Sequence, residues 1–567
     1  MAIKNYVSIG ADTETFNGQP FVMQFASKSL KLEKFIWCNG KTSTRKFLEF
    51  CDSLDIGNYV MWFHNLDYDM VSIFYDRHII LKNEEFSFEA HGWTVEGVYS
   101  SICFANLKKG NKVIHIRDTF AYYKTSLAKL ADMFCPELPK LSKPKELGDK
   151  IYTADDKEFC EYAMRDSVIT DVVGRYILER HSEYGIGLSV SAPHFSANVF
   201  RTKFMTKDIP LPSKGKIYSA LLSYHGGKNN LTVPYGWYQN VTLLDIASAY
   251  PAAMAELPSF YQRENYHLIE GGKLTDELPR YGIYRISGVA KKCQWPILYD
   301  SAFHPIEGEF TDIWTTGPEL NEGLRNGELE ISKVYGYFYD DVADKNESPF
   351  KGFAETFYSL KDKQGIQKTE RDFYKLILNS LYGKFIQSRG EKDHLSYYYD
   401  LDKMKLNKEK MIIAGGLFHP FIATLITGIV RANIHKLEHK YLSLHTATDG
   451  IFTMAKNCKE KPGLGGLKIE AKGDLLIFRN KLYILYSSRE SHLPSRVFKG
   501  KYICKYALHG FRGSVYDLEK IYVTGNPTYE YKKVNKLRES LRRGLDVNKF
   551  ETQQGSLNLE TITDGDE

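Results

Sequence analysis

Residues 244–251 read Leu-Asp-Ile-Ala-Ser-Ala-Tyr-Pro, and residues 375–383 read Lys-Leu-Ile-Leu-Asn-Ser-Leu-Tyr-Gly. The first stretch sets one acid, Asp245, in an apolar strand that then turns into a helix. A carboxylate at a strand end is poorly solvated and needs a cation or a hydrogen-bond donor; a plain helix cap is the alternative. The second stretch lies within 356–386, which contains no proline and reads as helix. There Lys363, Gln367, Arg371, Lys375 and Asn379 recur every four residues, which predicts one slowly drifting polar stripe. Phe373, Leu376 and Ile377 lie on other faces and can anchor it. Three cations on one stripe repel unless an anion lies alongside. A triphosphate would supply that charge; a solvated basic face is the bland reading.

Outward from these stretches, residues 1–180 alternate strand-like runs (6–11, 59–63, 113–116) with helical patterns (125–134, 156–180), an α/β layout. Asp12-Thr13-Glu14 follows the first run, and strand alternation puts Asp12 and Glu14 on one face. Two adjacent carboxylates repel unless a cation sits between them. Phe63-His64-Asn65-Leu66-Asp67-Tyr68-Asp69 places Asp69 just past an apolar strand. A spacing of four puts Tyr162 and Asp166 on one helical face. Together Asp12, Glu14, Asp69 and Asp166 could hold two divalent metals about 3.5–4 Å apart, with Tyr162 orienting an attacking water.

The chain has 567 residues, enough for several domains. Its net charge of +5 is only mildly basic, so a nucleic-acid enzyme of this composition must gather its cations in a channel. The 39 tyrosines and 33 phenylalanines suit stacking on bases and sugars, with core filling as the ordinary use. Eight scattered cysteines without a CxxC pair argue against a cysteine zinc site or a disulfide framework and fit a reducing cytoplasm. The N-terminus lacks a signal-peptide pattern, and no apolar stretch approaches the roughly 20 residues of a membrane span.

The motifs resemble those of family B DNA polymerases, of the bacteriophage protein-primed type. DTE, HNLxxD and YxxxD resemble the family's DEDD 3′→5′ exonuclease. That likeness implies that His64, Asn65 and Tyr68 grip a single-stranded 3′ end. Thr119 and Phe120 of Asp118-Thr119-Phe120 would do the same, with Phe120 where leucine is usual. It also implies a catalytic lysine within 140–145. DIASAYP resembles the palm motif DxxSLYP. Asp245 and the Ile246 carbonyl would then be metal ligands, Ser248 would touch triphosphate, and Tyr250 would exclude a 2′-hydroxyl. Residues 375–383 match KxxxNSxYG, which implies that Lys375, Arg371 and Lys363 bind triphosphate, with Asn379 and Tyr382 closing the pocket. Thr446-Ala447-Thr448-Asp449-Gly450, after a β-rich segment, resembles YxDTDS with departures. Asp449 is kept as second metal ligand, but Ala447 replaces an aspartate, His445 a tyrosine and Gly450 a serine. Lys481-Leu482-Tyr483 resembles KxY, which holds the primer end. Tyr224, Gly226 and Gly227 resemble YxGG, which contacts template.

The resemblance implies an α/β and α+β multidomain chain: a ribonuclease H-like exonuclease domain followed by a right hand of palm, fingers and thumb. The expected boundaries are 1–185 exonuclease, 186–256 and 413–523 palm, and 351–386 fingers. Residues 257–350 and 387–412 would be two terminal-protein-region insertions, and 524–567 thumb and acidic tail. About 130 residues separate Asp245 from Lys375, and about 70 separate Asn379 from Asp449, room for those insertions. Residues 531–549, with Val534, Leu537 and Leu541 among basic residues, suit a small thumb on backbone phosphates. The implied cofactors are two Mg²⁺ (or Mn²⁺) ions in each centre. The implied partners are template–primer DNA, dNTPs and a terminal protein, with no membrane, in the cytoplasm of the cell or of a viral host. Two alternatives stay open: an exonuclease with a weakened polymerase centre, motivated by Ala447, and a non-catalytic DNA-binding replication factor.

Overall fold

A computed structural model of the chain describes residues 6–17, 19–77, 84–144, 146, 150–271, 277–340, 347–389, 399–400, 405–406, 413–414, 416–490, 492–533 and 551–557. The chain divides into two compact units. The first comprises Met1–Lys203, Lys361–Ile377 and Lys533–Glu551; the second comprises Phe204–Leu360, Leu378–Lys532 and Thr552–Glu567. Among the described residues, no helix is long and apolar enough to cross a membrane.

The first unit is built on eight strands: β1 (Tyr6–Phe16), β2 (Gln19–Ser27), β3 (Leu32–Trp37), β4 (Asn58–Phe63), β5 (Glu85–Ala90), β6 (Trp93–Tyr99), β7 (Cys103–Lys109) and β8 (Lys112–Asp118). Their order is β3-β2-β1-β4-β8-β7-β6-β5, with β1, β4 and β8 mutually parallel. The parallel strands are the buried centre, which is why Ile9, Met61, Phe63, Ile114 and Ile116 read as apolar runs. The long helix Lys157–Tyr184 packs over β1 and β2. It lies so close that a Cβ at Gly10 would overlap the Ser167 carbonyl oxygen. Glycine here lets Asp166, one residue earlier on the helix, come up against the end of β1.

Residues 356–386 are not one helix. A helix Pro349–Lys361 stops, Gly365 turns through φ +77°, and a second helix runs Lys368–Ser380. Glycine, with no Cβ cost in the left-handed region, breaks a helix as proline does. Lys363 and Gln367 therefore leave the predicted stripe, and only Arg371, Lys375 and Asn379 stay on the second helix, all exposed. Phe373 anchors that helix edge-on against Tyr176 and Phe195.

In the second unit, β9 (Lys228–Leu231) and β10 (Gly236–Ile246) are followed by β11 (Tyr266–Ile269), β12 (Gly282–Ala290), β13 (Gly308–Thr316) and β14 (Leu329–Tyr339). The last four form a separate antiparallel sheet ordered β11-β14-β12-β13, with the helix Gly317–Arg325 between β13 and β14. Much of the stretch 387–412 lies outside the described residues. Its described parts and their partners are β15 (Ser388–Arg389), β16 (Tyr399–Asp400), β17 (Lys405–Leu406) and β18 (Ile413–Ala414), with β15 pairing β18 and β16 pairing β17. Then come β19 (His445–Thr448), β20 (Gly450–Thr453), β21 (Leu467–Arg479), β22 (Leu482–Ser487), β23 (Leu493–Pro494) and β24 (Tyr502–Leu508). The large sheet is ordered β23-β24-β22-β21-β10-β20-β19-β9.

Two local expectations are corrected. The segment before Thr446 is not β-rich but the helix Pro420–Tyr441, buried on nearly every face. A helix buried all round carries no amphipathic stripe, and its β-branched residues imitate strand. Near the C-terminus, β25 (Thr528–Lys533) pairs with β26 (Glu551–Ser556), so Tyr531–Lys533 of the expected thumb segment end a strand, and Glu551–Ser556 of the expected tail form its partner. Val534, Leu537 and Leu541 lie outside the described residues.

Candidate active sites

In the first unit, Asp12 and Glu14 lie on the outer half of β1, Asp69 on the first turn of the helix Asp67–Ile73, and Asp166 on the long helix. Asp69 and Asp166 are buried, at 3% and 4% exposure. The Gln24 amide donates to Asp12 Oδ2 (3.2 Å), and the Thr13 hydroxyl to Asp69 Oδ1 (2.8 Å). Burial, then the Asp166 charge, pushes Asp12 up to about 7. Burial, then the Asp12 charge, pushes Glu14 up to about 8, and Asp69 is raised well above the carboxylate range for the same two reasons. Four acids are thus held closer together than they tolerate as anions.

One cation relieves part of this. Lys140 forms an ion pair with Asp166 Oδ2 and lies 5.3 Å over the Tyr162 ring. Of the lysines in 140–145, this is the one on the cluster; Lys143 acts on Glu14 only through its charge, and Lys145 lies outside the described residues. Among the described residues, the buried Asp166 Oδ1 has no hydrogen-bond partner. An acceptor-only oxygen among raised carboxylates is a donor set that suits divalent cations.

A cleft of about 430 Å³ opens beside the acids, lined by Asp12, His64, Asn65, Phe120, Lys140 and Asp166. Asn65 is held at φ +68° by its N–H bond to Asp118 Oδ1 (2.9 Å). Tyr68 is exposed. Burial, then the Lys140 charge, lowers His64 to about 4, so its ring is neutral. Thr119 differs from expectation. It is fully buried, its hydroxyl donating to the Phe63 carbonyl (3.0 Å) and meeting His64 Nδ1 (3.0 Å), so it orients His64 instead of facing a ligand.

In the second unit, Asp245 sits at the end of β10, between Gly450 of β20 and Lys468 of β21. Asp449 occupies the turn from β19 to β20, and the N–H of Ile246 donates to its carbonyl (2.9 Å). Burial, then the charge of Asp245, pushes Asp449 up to about 6. Burial raises Asp245 too, against the pull of Lys468, whose Nζ is 2.8 Å from Asp245 Oδ2. Two partly buried carboxylates, both raised by burial and one raised further by the other's charge, next to a backbone turn, are a donor set that suits divalent metal.

Ser248 takes φ +53° and starts the helix Ala249–Ala255, which presents Tyr250. The Tyr250 ring stacks on Tyr382 (4.2 Å between centroids, 13°). A Cβ on Gly227 would come within 2.9 Å of the Tyr250 hydroxyl and collide with Thr448, so that backbone passes against both motifs. Tyr224 adjoins Tyr382, and Gly226 is exposed. The loop is held from below by Arg431, whose Nη1 donates to the carbonyls of His225 (2.6 Å) and Gly226 (2.9 Å).

Residues 155–418 match the family model described as DNA polymerase type B, organellar and viral. The fold is that of Phi29 DNA polymerase. The structure of that enzyme with primer-template DNA and incoming nucleotides superposes with a TM-score of 0.68 at 16% identity, over 97% of this chain and 100% of that one. Its orthorhombic crystal form gives 0.66 at 15%, over 98% and 100%. In sequence, the DNA polymerase of Acidianus bottle-shaped virus is 24% identical over 376 residues, 62% of this chain and 52% of that protein. A probable DNA polymerase of Neurospora intermedia is 24% identical over 241 residues, 39% and 23%. The "primer-independent DNA polymerase PolB" of Escherichia coli is 25% identical over 257 residues, 41% and 27%. The matches span from about a quarter to about half of these relatives' lengths.

Within this fold, the departures around Asp449 have packing reasons. A Cβ at Gly450 would lie 2.9 Å from the Leu244 carbonyl oxygen, so serine does not fit. His445 stacks on Phe452 (5.5 Å), meets Tyr483 edge-on and hydrogen-bonds the Asn230 carbonyl through Nδ1 (2.9 Å), an aromatic filling role. Tyr483 is itself core, at 4% exposure, so its ring is turned inward, whereas Lys481, in the turn before it, is half-buried. Lys468 was not foreseen. Its alternation with Glu470 and Lys472 along β21 was the available signal, but pairing it with Asp245 needs the strand register.

Proposed function

We propose that the chain is a DNA-templated DNA polymerase with a 3′→5′ proofreading exonuclease, acting in the cytoplasm. The acids of polymerisation would be those of the second unit, and the acids of hydrolysis those of the first. The observation that carries the reading is the meeting of Asp245, at the end of β10, with Asp449, in the turn into β20, where the charge of Asp245 helps push Asp449 up to about 6.

Two divalent cations, Mg²⁺ or Mn²⁺, fit each acid set, and when bound would activate the attacking oxygen and stabilise the leaving one. In the second unit Asp245, Asp449 and the Ile246 carbonyl would hold them. Tyr250, fixed by its stack on Tyr382, would close the space beneath the sugar and select deoxyribonucleotides. Arg371 and Lys375, with Lys363, would hold triphosphate oxygens, and Asn379 would close the pocket. Ser248 would touch the phosphates, and Tyr224 to Gly227 and Lys481 would hold template and primer. Positioning and electrostatics would supply most of the rate, since phosphoryl transfer asks little else of the protein.

In the first unit Asp12, Glu14, Asp69 and Asp166 would hold metal. Tyr162 and Lys140 would orient the attacking water, and His64, Asn65, Tyr68 and Phe120 would grip the frayed strand. The separate sheet β11–β14 supports a terminal-protein contact, hence protein priming of a linear genome; residues 387–412 would add processivity and strand displacement.

Extension of a DNA-primed template in Mg²⁺ and in Mn²⁺, without a clamp, tests polymerisation. Extension is expected from the parent and lost in Asp449→Ala, whereas Asp166→Ala should lose only single-strand hydrolysis. A parent that hydrolyses but never extends would favour the exonuclease reading that Ala447 raises. Synthesis on an unprimed template with and without a candidate terminal protein tests the priming.

A further inference from the structure

On the helix Pro420–Tyr441, His435 and His439 are one turn apart, and their Nε2 atoms are 3.2 Å from each other. Glu328, the residue before β14, brings Oε2 to 3.0 Å from His435 Nε2 and Oε1 to 2.8 Å from His439 Nε2. His435 is fully buried, Glu328 nearly so, and His439 about a third exposed. The Asn326 amide backs His435 at Nδ1 (3.4 Å), and Trp295 packs edge-on to His439 (5.0 Å).

A buried carboxylate this close to two imidazoles ordinarily accepts their N–H groups. Neither Glu328 oxygen does so: both are buried and, among the described residues, without a hydrogen-bond partner, although the distances are short. The two ring nitrogens and one Glu328 oxygen instead lie within 4.8 Å of one another. Ligands at about 2.0–2.1 Å from a tetrahedral Zn²⁺ stand about 3.3 Å apart. The N–N separation of 3.2 Å and the nearest N–O separations, 3.0 Å to Oε2 and 2.8 Å to Oε1, are close to the edges of such a polyhedron, with one carboxylate oxygen serving as the ligand.

We propose that Glu328, His435 and His439 form a binding site for one divalent transition-metal ion, zinc by its ligand chemistry, separate from both acid centres. Imidazole selects a borderline-soft ion over Mg²⁺ or Ca²⁺, which take oxygen ligands. Two histidines and a glutamate leave the fourth position to water. No cysteine is used, so the absence of a CxxC pair does not bear on it. The ion ties the residue just before β14 to the helix that leads into the Asp449 hairpin, and so secures the β11–β14 sheet to the large-sheet part of the same unit.

Metal-stripped full-length protein is titrated with Zn²⁺, then Co²⁺, under excess Mg²⁺ so that the acid centres stay filled. One tightly held zinc is expected, with the intense visible bands of four-coordinate Co²⁺ in its place. His439→Gln, the most exposed ligand, should weaken zinc by about 100-fold or more, since losing an outer partner alone can cost that much. The parent's cobalt spectrum decides the matter even if the variant folds poorly. No zinc bound by the parent under Mg²⁺, only six-coordinate cobalt bands, or unchanged zinc affinity in a folded His439→Gln overturns the proposal.

Discussion

Replacing Arg431 by methionine would leave Glu319 buried beside no cation. The pair is bidentate, Nε to Oε1 at 2.7 Å and Nη2 to Oε2 at 2.8 Å, with Arg431 at 0% and Glu319 at 2% exposure. Burial alone would push Glu319 up, but the Arg431 charge and hydrogen bonds outweigh it and hold the carboxyl below its usual range. Breaking a buried pair from one side costs about 3–5 kcal/mol, because the remaining charge is uncompensated. Methionine keeps most of the volume, so little of that is cavity. At about 1–2 °C per kcal/mol for a unit of this size, the melting point should fall by about 3–10 °C.

The loss also has a sign in pH. Without its partner Glu319 would titrate above its unfolded value, so the variant would be least destabilised at acid pH and lose stability as pH rises. Urea unfolding of Arg431→Met, Glu319→Gln and the double variant measures the coupling. Removing both charges should recover about 2 kcal/mol or more relative to the sum of the singles. The same variant frees the carbonyls of His225 and Gly226, so template-dependent extension should weaken while hydrolysis of single strands does not. A cost under about 1 kcal/mol, or additive singles, would refute the reasoning, since a buried charge cannot be left unpaired so cheaply.

Asp12 and Glu14 titrate near 7 and 8 in the folded chain without metal, against about 4 when unfolded. The folded state therefore holds protons that the unfolded chain has released, and metal-free stability should fall as pH rises from about 4 to 8, with Mg²⁺ flattening the slope. Melts of the parent and Glu14→Gln with and without Mg²⁺ check this; identical slopes for the two proteins contradict it. Gly450→Ser drives a Cβ toward the Leu244 carbonyl and the Asp245 carboxylate and should cost about 1–3 kcal/mol, with extension impaired more than hydrolysis. Tyr250→Val removes the stack on Tyr382 and should raise ribonucleotide relative to deoxyribonucleotide incorporation; an unchanged ratio removes the sugar-selecting role.

What the chain shows in one dimension depends on whether a residue's role is local. The strands carrying Asp12, Met61 and Ile114 are apolar runs with nothing to disguise them, so the α/β character of the first unit was legible. Asp12 and Glu14, or Tyr162 and Asp166, share a face by periodicity alone. The helix Pro420–Tyr441 was hidden because it is buried on nearly every side, and the break at Gly365 because helix-stopping was sought in proline. Lys140 and Lys468 were hidden for another reason: each is one basic residue among several, selected only by the sheet or loop that brings it to an acid far away in sequence. Thr119 and Tyr483 fit a motif, yet burial turns both inward.

The departures near Asp449 make sense as one arrangement. Asp245, Gly450 and Ala447 lie in a single lateral row across β10, β20 and β19, on the same face of the sheet. Gly450 has no side chain to screen one end of that row from the other, and the Leu244 carbonyl keeps it so. An aspartate at 447 would add a third charge about 10 Å from Asp245, two strand spacings away, to a pair in which Asp449 already stands at about 6. Ala447 instead joins the apolar cluster of Val241, Leu243 and Phe452. Its methyl relieves repulsion and fills the core edge together, so the missing acid fits a centre balanced on two carboxylates and Lys468 as well as it fits one in decline.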